Sequence, residues 1–112
     1  MKLPNVENAV VDREKITDYL LNPAHPDNGC KALFFLSHGF RADHWQTLAT
    51  AFRRLAETTE VFKSVASAHG QKYIVDGPLE TPGGKTPLVR TVWIIDLGLT
   101  TPRLVTADPQ DE

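Results

Sequence analysis

The hydrophobic pattern of this 112-residue chain changes its period about halfway along. In the first half, apolar residues recur at three- and four-residue steps over 13–21 and 44–58, which predicts two amphipathic helices. Residues 22–30 contain two prolines, a glycine and two asparagines, and this composition predicts a stiff connection. The apolar run 31–36 is too short for its periodicity to separate a helix from a strand, and we favour a helix.

From residue 61 onward the pattern alternates and predicts strands. Residues 61–68 and 71–80 form a hairpin, 88–95 a central strand, and 103–107 a fourth strand antiparallel to it. The predicted fold is therefore α+β, with N-terminal helices packed on a roughly four-stranded antiparallel meander. We expect one domain over 1–107 and a polar tail over 108–112.

The alternation of the central strand also predicts two faces, but it leaves open which of them meets the helices. The first carries Thr91 and Trp93, with Ile95 two residues further on. The second carries Arg90 and Val92, followed by Ile94.

Composition narrows the class of protein without naming a function. There are 12 basic and 14 acidic residues, which give a formal charge of −2. The single cysteine, Cys30, excludes an intramolecular disulfide framework and fits a reducing compartment, so we expect a cytoplasmic protein. No apolar run approaches the ~20 residues of a membrane span. Residues 31–90 hold eight basic and five acidic side chains, so a local cationic site stays compatible with the negative total.

Recognisable catalytic motifs are missing from the sequence. It has no phosphate-binding glycine loop, no Cys/His ligand spacing and no nucleophile elbow, and we predict neither a cofactor nor a metal site. The stiff connection holds His25, and Lys31 opens the next element. An imidazole and an ammonium together can move a proton and stabilise a phosphate. The alternative is that His25 packs a turn and Lys31 is solvated.

Polar residues on the last two predicted strands form a second candidate group. Some of Arg90, Arg103 and Thr106 can share one face of the sheet and bind an anion there, although ordinary cross-strand pairing explains them equally well. Tyr73 and Trp93 can stack a nucleobase or belong to the core.

Several short segments along nearly the whole chain resemble an uncharacterised bacterial family of small stand-alone proteins. In the first half they are Leu3-Pro4-Asn5, Ala9-Val10-Val11-Asp12, Lys15 to Pro23, His25-Pro26, Lys31-Ala32 and Phe34-Phe35. In the second half they are Gly70-Gln71-Lys72-Tyr73, Val75-Asp76, Gly83-Gly84, Val89 to Trp93 and Pro102 to Thr106. This resemblance implies a family and no activity.

A more distant likeness is to toxin domains at the C-termini of bacterial polymorphic toxins, which are similar to barnase, EndoU, colicin and RelE-like ribonucleases. It rests on the Asn-Pro loop, the Lys-Ala that opens a helix, and the Arg-Thr-x-Trp and Pro-Arg-Leu strands. The resemblance implies a metal-independent ribonuclease built from helices and a four-stranded antiparallel sheet. Where those domains read His-Lys-Ala, this chain has Cys30-Lys31-Ala32, so one catalytic imidazole of the pattern is absent.

Two functions of different classes follow. The first is an endoribonuclease-like toxin domain, with His25 as acid or base, Lys31 and Arg90 or Arg103 as charge stabilisers, and Thr106 as a hydrogen-bond donor. Its partner is RNA. The alternative is a non-catalytic interaction module, an antitoxin or immunity-like partner of a cognate small protein or a homodimer, which the negative net charge favours. A small-molecule enzyme is a third reading, for which the sequence names no substrate.

Overall fold

The computed structural model describes residues 1–110, and its four strands form one antiparallel sheet. The strands are β1 (Lys63–Ser67), β2 (Gly70–Pro78), β3 (Leu88–Asp96) and β4 (Arg103–Pro109), in the spatial order β1-β2-β3-β4. Two α-helices precede them, α1 (Gly29–Ser37) and α2 (Trp45–Thr58). The predicted α+β meander is confirmed.

The ends of the four strands lie within two residues of those that alternation predicts, and one difference concerns the candidate site. β4 runs two residues beyond the predicted 103–107, so Asp108, assigned above to the polar tail, lies within the sheet opposite Arg90. The last two residues of that tail, Asp111 and Glu112, lie outside the described residues.

The predicted first helix is present, but its winding is wider than that of an α-helix. A π-helix spans Lys15–Leu20, and the Leu21 N–H donates to the carbonyl of Ile16, five residues back, at 2.8 Å. The run 31–36 is helical as favoured, and α1 reaches back to Gly29, into the predicted connection. Short 3₁₀ turns lie at Val6–Asn8 and Ala42–His44.

The helices cover the face of β3 that carries Thr91 and Trp93. Both residues are fully buried, and Trp93 packs in one core with Phe35 of α1 and Phe52 of α2. The Trp93 indole N–H donates to the Thr91 hydroxyl, which itself donates to the Val75 carbonyl, both at 2.8 Å. These bonds satisfy the buried polar side-chain atoms of Trp93 and Thr91. Trp93 is thus a core residue, and Tyr73 packs against the same cluster.

A β-bulge in β4 decides which of its side chains face away from the core. Leu104 pairs with Trp93 but Thr106 pairs with Val92, so one extra residue, Val105, stands between them. In a regular strand, residues two apart share a face. Because of the bulge, Leu104 points into the core while Thr106 and Asp108 point to the opposite face.

We call this opposite side of the sheet the open face. Its residues are those that pair with Arg90, Val92 and Ile94 across the strands. They are Lys63, Val65, Lys72, Ile74, Asp76, Arg90, Val92, Ile94, Arg103, Thr106 and Asp108.

Candidate functional site

A polar cluster around Lys31 lies at the β4 edge of the open face. The Lys31 ammonium contacts Asp108 Oδ1 at 2.8 Å, Tyr19 Oη at 3.1 Å and Thr106 Oγ1 at 3.2 Å. An ammonium has three protons to donate, and here each has an oxygen within reach. The cluster joins the π-helix, the first turn of α1 and β4, so it exists only in the folded chain. We call these four residues the Lys31 cluster.

The position of Tyr19 is set by its backbone as well as by its hydroxyl. The Tyr19 carbonyl accepts the Asn22 N–H at 3.3 Å and the side-chain amide of Asn28, a residue that is 1% exposed. Two ammonium groups lie near its ring, with Nζ of Lys15 at 5.2 Å and Nζ of Lys31 at 5.3 Å from the ring centre. These distances are in the range of cation–π attraction.

The cluster changes the acidity of its members. The hydrogen bond with Thr106 lowers the pKa of the Tyr19 hydroxyl, and the bond and charge of Lys31 lower it further, against the opposing effect of burial. Burial by itself lowers the pKa of Lys31, but hydrogen bonds to Asp108 and Tyr19 outweigh it and raise the pKa above the ordinary lysine value. Lys31 is therefore a fixed cation at neutral pH, and Tyr19 is a better proton donor than an ordinary tyrosine.

His25 lies beside this cluster with its ring against Tyr19. The two ring centres are 5.0 Å apart and the planes meet at 82°, an edge-to-face contact. Nδ1 of His25 accepts the backbone N–H of Asp27 at 3.1 Å. The neutral ring then carries its proton on Nε2, which makes His25 a hydrogen-bond donor toward a ligand.

The two arginines predicted for the site share the open face, but each is already paired. Arg90 makes a bidentate ion pair with Asp76, both bonds at 2.8 Å, and stands directly opposite Asp108 in the sheet. Arg103 makes a bidentate pair with Asp96 and stands opposite Ile94, away from Asp108. Of the five predicted residues, the structure therefore brings together Lys31, Thr106 and His25, places Arg90 one strand away, and leaves Arg103 apart.

Sequence reasoning missed three residues of this region. The spacing over 13–21 predicts Tyr19 as part of the apolar face of its helix, and Asp108 lies in the predicted polar tail. Lys15 is not among the predicted site residues, although it stands four residues before Tyr19, the spacing of helical neighbours. The spacing of Thr106 and Asp108, two apart after a strand-like run, is the signal that places both on one face.

Within residues 1–110, no three His, Cys, Asp or Glu side chains form a group that could hold a metal ion. His38 packs its ring on Phe34 with ring centres 4.8 Å apart. No helix in the described part of the chain is long and apolar enough to cross a membrane.

The fold and this cluster define a small α+β domain with a lysine-centred polar site at the edge of an antiparallel sheet. The chain belongs to the family described as "Domain of unknown function (DUF6883)", whose model matches residues 2–111. The expectation of a family without an assigned activity is confirmed. None of the curated proteins matches the chain.

Among solved structures, the chain is similar to one described as "Contact-dependent growth inhibition toxin - immunity protein complex from Klebsiella pneumoniae 342". The identity is 22% and the TM-score 0.75, over 96% of this chain and 97% of that one. A likeness at this identity establishes a shared fold and leaves the activity to be argued from the site.

Proposed function

We propose that this chain is an endoribonuclease domain of a bacterial toxin–immunity system, and that it cleaves RNA at the Lys31 cluster without a metal. The observation that carries the proposal is the Lys31 ammonium, held by oxygens of Tyr19, Thr106 and Asp108 at 2.8–3.2 Å on the rim of the open face. Support for the toxin system comes from the fold shared with a chain of a toxin–immunity complex.

RNA carries its own nucleophile, the 2′-hydroxyl, so this chemistry needs only a proton acceptor, a proton donor and a cation. In the proposed reaction the 2′-oxygen attacks phosphorus and the bond to the 5′-oxygen breaks. The products are a 2′,3′-cyclic phosphate and a 5′-hydroxyl. Lys31 is the cation that stabilises the extra negative charge on the phosphorane oxygens.

The roles in proton transfer follow from which side chains of the cluster can accept a proton and which can give one. The Asp108 carboxylate is the acceptor for the 2′-hydroxyl proton, because it is half-exposed and only its Oδ1 contacts Lys31. Tyr19, with its lowered pKa, gives its proton to the leaving 5′-oxygen. Tyr19 and Thr106 both accept a bond from Lys31, and their oxygens lie 3.4 Å apart, so in the free chain one of the two hydroxyl protons lies between them. Both protons turn to the substrate when it binds. Thr106 and His25 Nε2 are hydrogen-bond donors to the phosphate.

Lys15 adds a cation that is free to meet the substrate. None of the ion pairs within residues 1–110 involves it, whereas Lys31, Arg90 and Arg103 are each paired with an aspartate. Its ammonium lies 5.2 Å from the centre of the Tyr19 ring, beside the cluster. We assign Lys15 a contact with a phosphate next to the one that is cleaved.

The decisive experiment incubates purified protein with total RNA and transfer RNA. We expect cleavage products that end in a 2′,3′-cyclic phosphate, and a loss of rate of about 100-fold or more in Lys31→Met. The matched control is Lys85→Met, since Lys85 is exposed in the loop between β2 and β3. Circular dichroism and urea unfolding of each variant check that it is folded.

RNA that stays intact at micromolar protein, in the absence of an inhibiting partner, contradicts the proposal. Equal rates for wild type and folded Lys31→Met contradict the assignment of the site.

One observation favours the alternative of a non-catalytic interaction module. All three protons of Lys31 are engaged within the chain, and Arg90 and Arg103 are neutralised by bidentate pairs, so little of this charge is free for a polyanion. In that case a cognate protein binds the chain tightly, and neither wild type nor Lys31→Met cleaves RNA. Co-expression with the product of the neighbouring gene, followed by pull-down, separates the two outcomes.

A further inference from the structure

We infer that the open face is the track along which single-stranded RNA lies, and that Phe62 with Arg90 stacks an unpaired nucleobase of that strand. The inference rests on the proposed function, because the track begins at the Lys31 cluster. It adds a binding subsite on β1 and β3, away from the reacting groups.

The strand register arranges the open face in rows that cross the sheet. One row runs from Thr106 on β4 through Val92 and Ile74 to Lys63 on β1. Its middle is apolar and half-buried, and adjacent strands lie about 4.8 Å apart, so the row is roughly 14 Å long. It provides an apolar floor that leads away from the Lys31 cluster.

Charged rows lie on both sides of this floor. On one side Asp108, Arg90 and Asp76 stand opposite one another, and on the other Arg103 and Lys72 flank the covered side chain of Ile94. Both aspartates of the first row are held in ion pairs, Asp108 with Lys31 and Asp76 with Arg90. The lysines of β1 and β2, Lys63 and Lys72, have no carboxylate partner within residues 1–110. The charge free to meet a ligand along this floor is therefore positive, as a polyanion requires.

Phe62 lies at the far end of this floor, where β1 begins. It is 64% exposed, whereas the other four phenylalanines are buried or packed against the core. The guanidinium carbon of Arg90 lies 5.3 Å from the centre of the Phe62 ring, and the bidentate pair with Asp76 holds that guanidinium in place.

An exposed aromatic ring beside a fixed guanidinium matches the way single-stranded RNA is recognised. Unpaired bases stack on aromatic rings and on arginine planes, and such stacking tolerates any base because each has a π-face. Duplex RNA has its bases stacked inside the helix and cannot use this subsite. The ligand class is therefore a single strand or a loop, with modest sequence preference.

The test measures binding in a form that cannot be cleaved. A fluorescently labelled single-stranded 2′-O-methyl oligonucleotide lacks the nucleophile, and its anisotropy reports affinity alone. We expect Phe62→Ala to weaken binding about tenfold, within the range for loss of one base stack, and Phe62→Tyr to keep wild-type affinity. Leu97→Ala is the matched control, because Leu97 is also an exposed apolar residue, 73% exposed, but lies beyond the other end of β3.

A second measurement removes the base instead of the ring. A series of oligonucleotides with one abasic site at each position identifies the stacked nucleotide. At one position, we expect the abasic site to weaken wild-type binding by the same factor as the Phe62→Ala substitution does with the intact oligonucleotide. At that position the abasic site should not weaken the binding of Phe62→Ala any further. If the abasic site and Phe62→Ala weaken binding additively at every position, the inference is overturned.

Failure of the inference and failure of the proposed function are distinguishable. If wild type cleaves RNA but Phe62→Ala binds and cleaves as well as wild type, the subsite is wrong and the function stands. If wild type cleaves nothing but binds single strands through Phe62, the subsite stands and the activity is wrong. A dimer that Phe62→Ala converts to monomer overturns the inference, because the face is then buried between two copies.

Discussion

The two faces of the sheet come from the same strands, and they differ in almost every physical property. The helix-covered face carries fully buried side chains such as Val75, Val89 and Trp93, and its polar atoms are paired inside the core. The open face carries half-exposed arginines and aspartates in bidentate pairs around an apolar floor. The comparison teaches that successive residues of β3 contribute in turn to the buried core and to the open face, because side chains alternate across a strand.

The largest effect is expected from the covered face. Trp93→Ala removes the largest fully buried side chain and is expected to cost about 3–5 kcal/mol of unfolding free energy. Val92→Ala, one residue away on the open face, is expected to cost about 1 kcal/mol or less. Urea unfolding measures both. A similar loss for the two variants would mean that the faces do not differ as described.

An intermediate effect is expected where the faces meet, at Lys31. Lys31→Met removes a partly screened ion pair and is expected to cost about 1 kcal/mol at neutral pH. Since folding raises the pKa of Lys31, this stabilisation is complete below the ordinary lysine value and is lost as the pH rises through the raised value. Folding lowers the pKa of Tyr19, so the contribution of its hydroxyl to the unfolding free energy rises with pH in the same alkaline range.

The measurement therefore follows Lys31 itself with Tyr19 in place, because Tyr19 supplies part of the raised pKa. The side-chain NMR resonances of Lys31 in the folded protein are expected to titrate above the ordinary lysine value. A titration below that value would reverse the sign assigned to Lys31.

The smallest effect is expected at the Arg103–Asp96 pair, whose side chains are 44% and 28% exposed. Arg103→Gln is expected to shift the urea midpoint only slightly at neutral pH, since water and salt screen such pairs. The Arg103 bond lowers the pKa of Asp96, so this contribution exists above the ordinary carboxylate value and disappears as the pH falls through the lowered value. The two proteins should therefore have equal midpoints in acid. A large shift would mean that this pair is part of the core.

Much of the fold could be predicted because it depends on local patterns. The period-two run 88–95 and the three- and four-residue spacing over 44–58 identify β3 and α2 almost to the residue. Short turns between the strands then leave a meander as the simplest pairing. The π-type winding of Lys15–Leu20 was not predictable in this way, because it concerns which carbonyl each N–H reaches and not which residues are apolar.

The spatial grouping of the candidate site residues could be predicted only in part. Lys31 and Thr106, two of the predicted residues, lie together. The prediction of Arg90 or Arg103 as a charge stabiliser did not include their ion pairs with Asp76 and Asp96. Tyr19 fits the apolar face of its helix, and Asp108 fits a polar tail. Only the packing of the π-helix and α1 against β4 shows that both side chains contact Lys31.

The sequence by itself determined the order of helices and strands and the alternation of faces, since both follow from side-chain spacing along the backbone. Only the tertiary structure decided that Val105 bulges. In a regular strand Arg103 and Thr106, three residues apart, face opposite sides, and the bulge brings both to the open face. Only docking of the helices placed Lys31 beside Thr106, 75 residues later. These features depend on packing between distant segments, which no local pattern encodes.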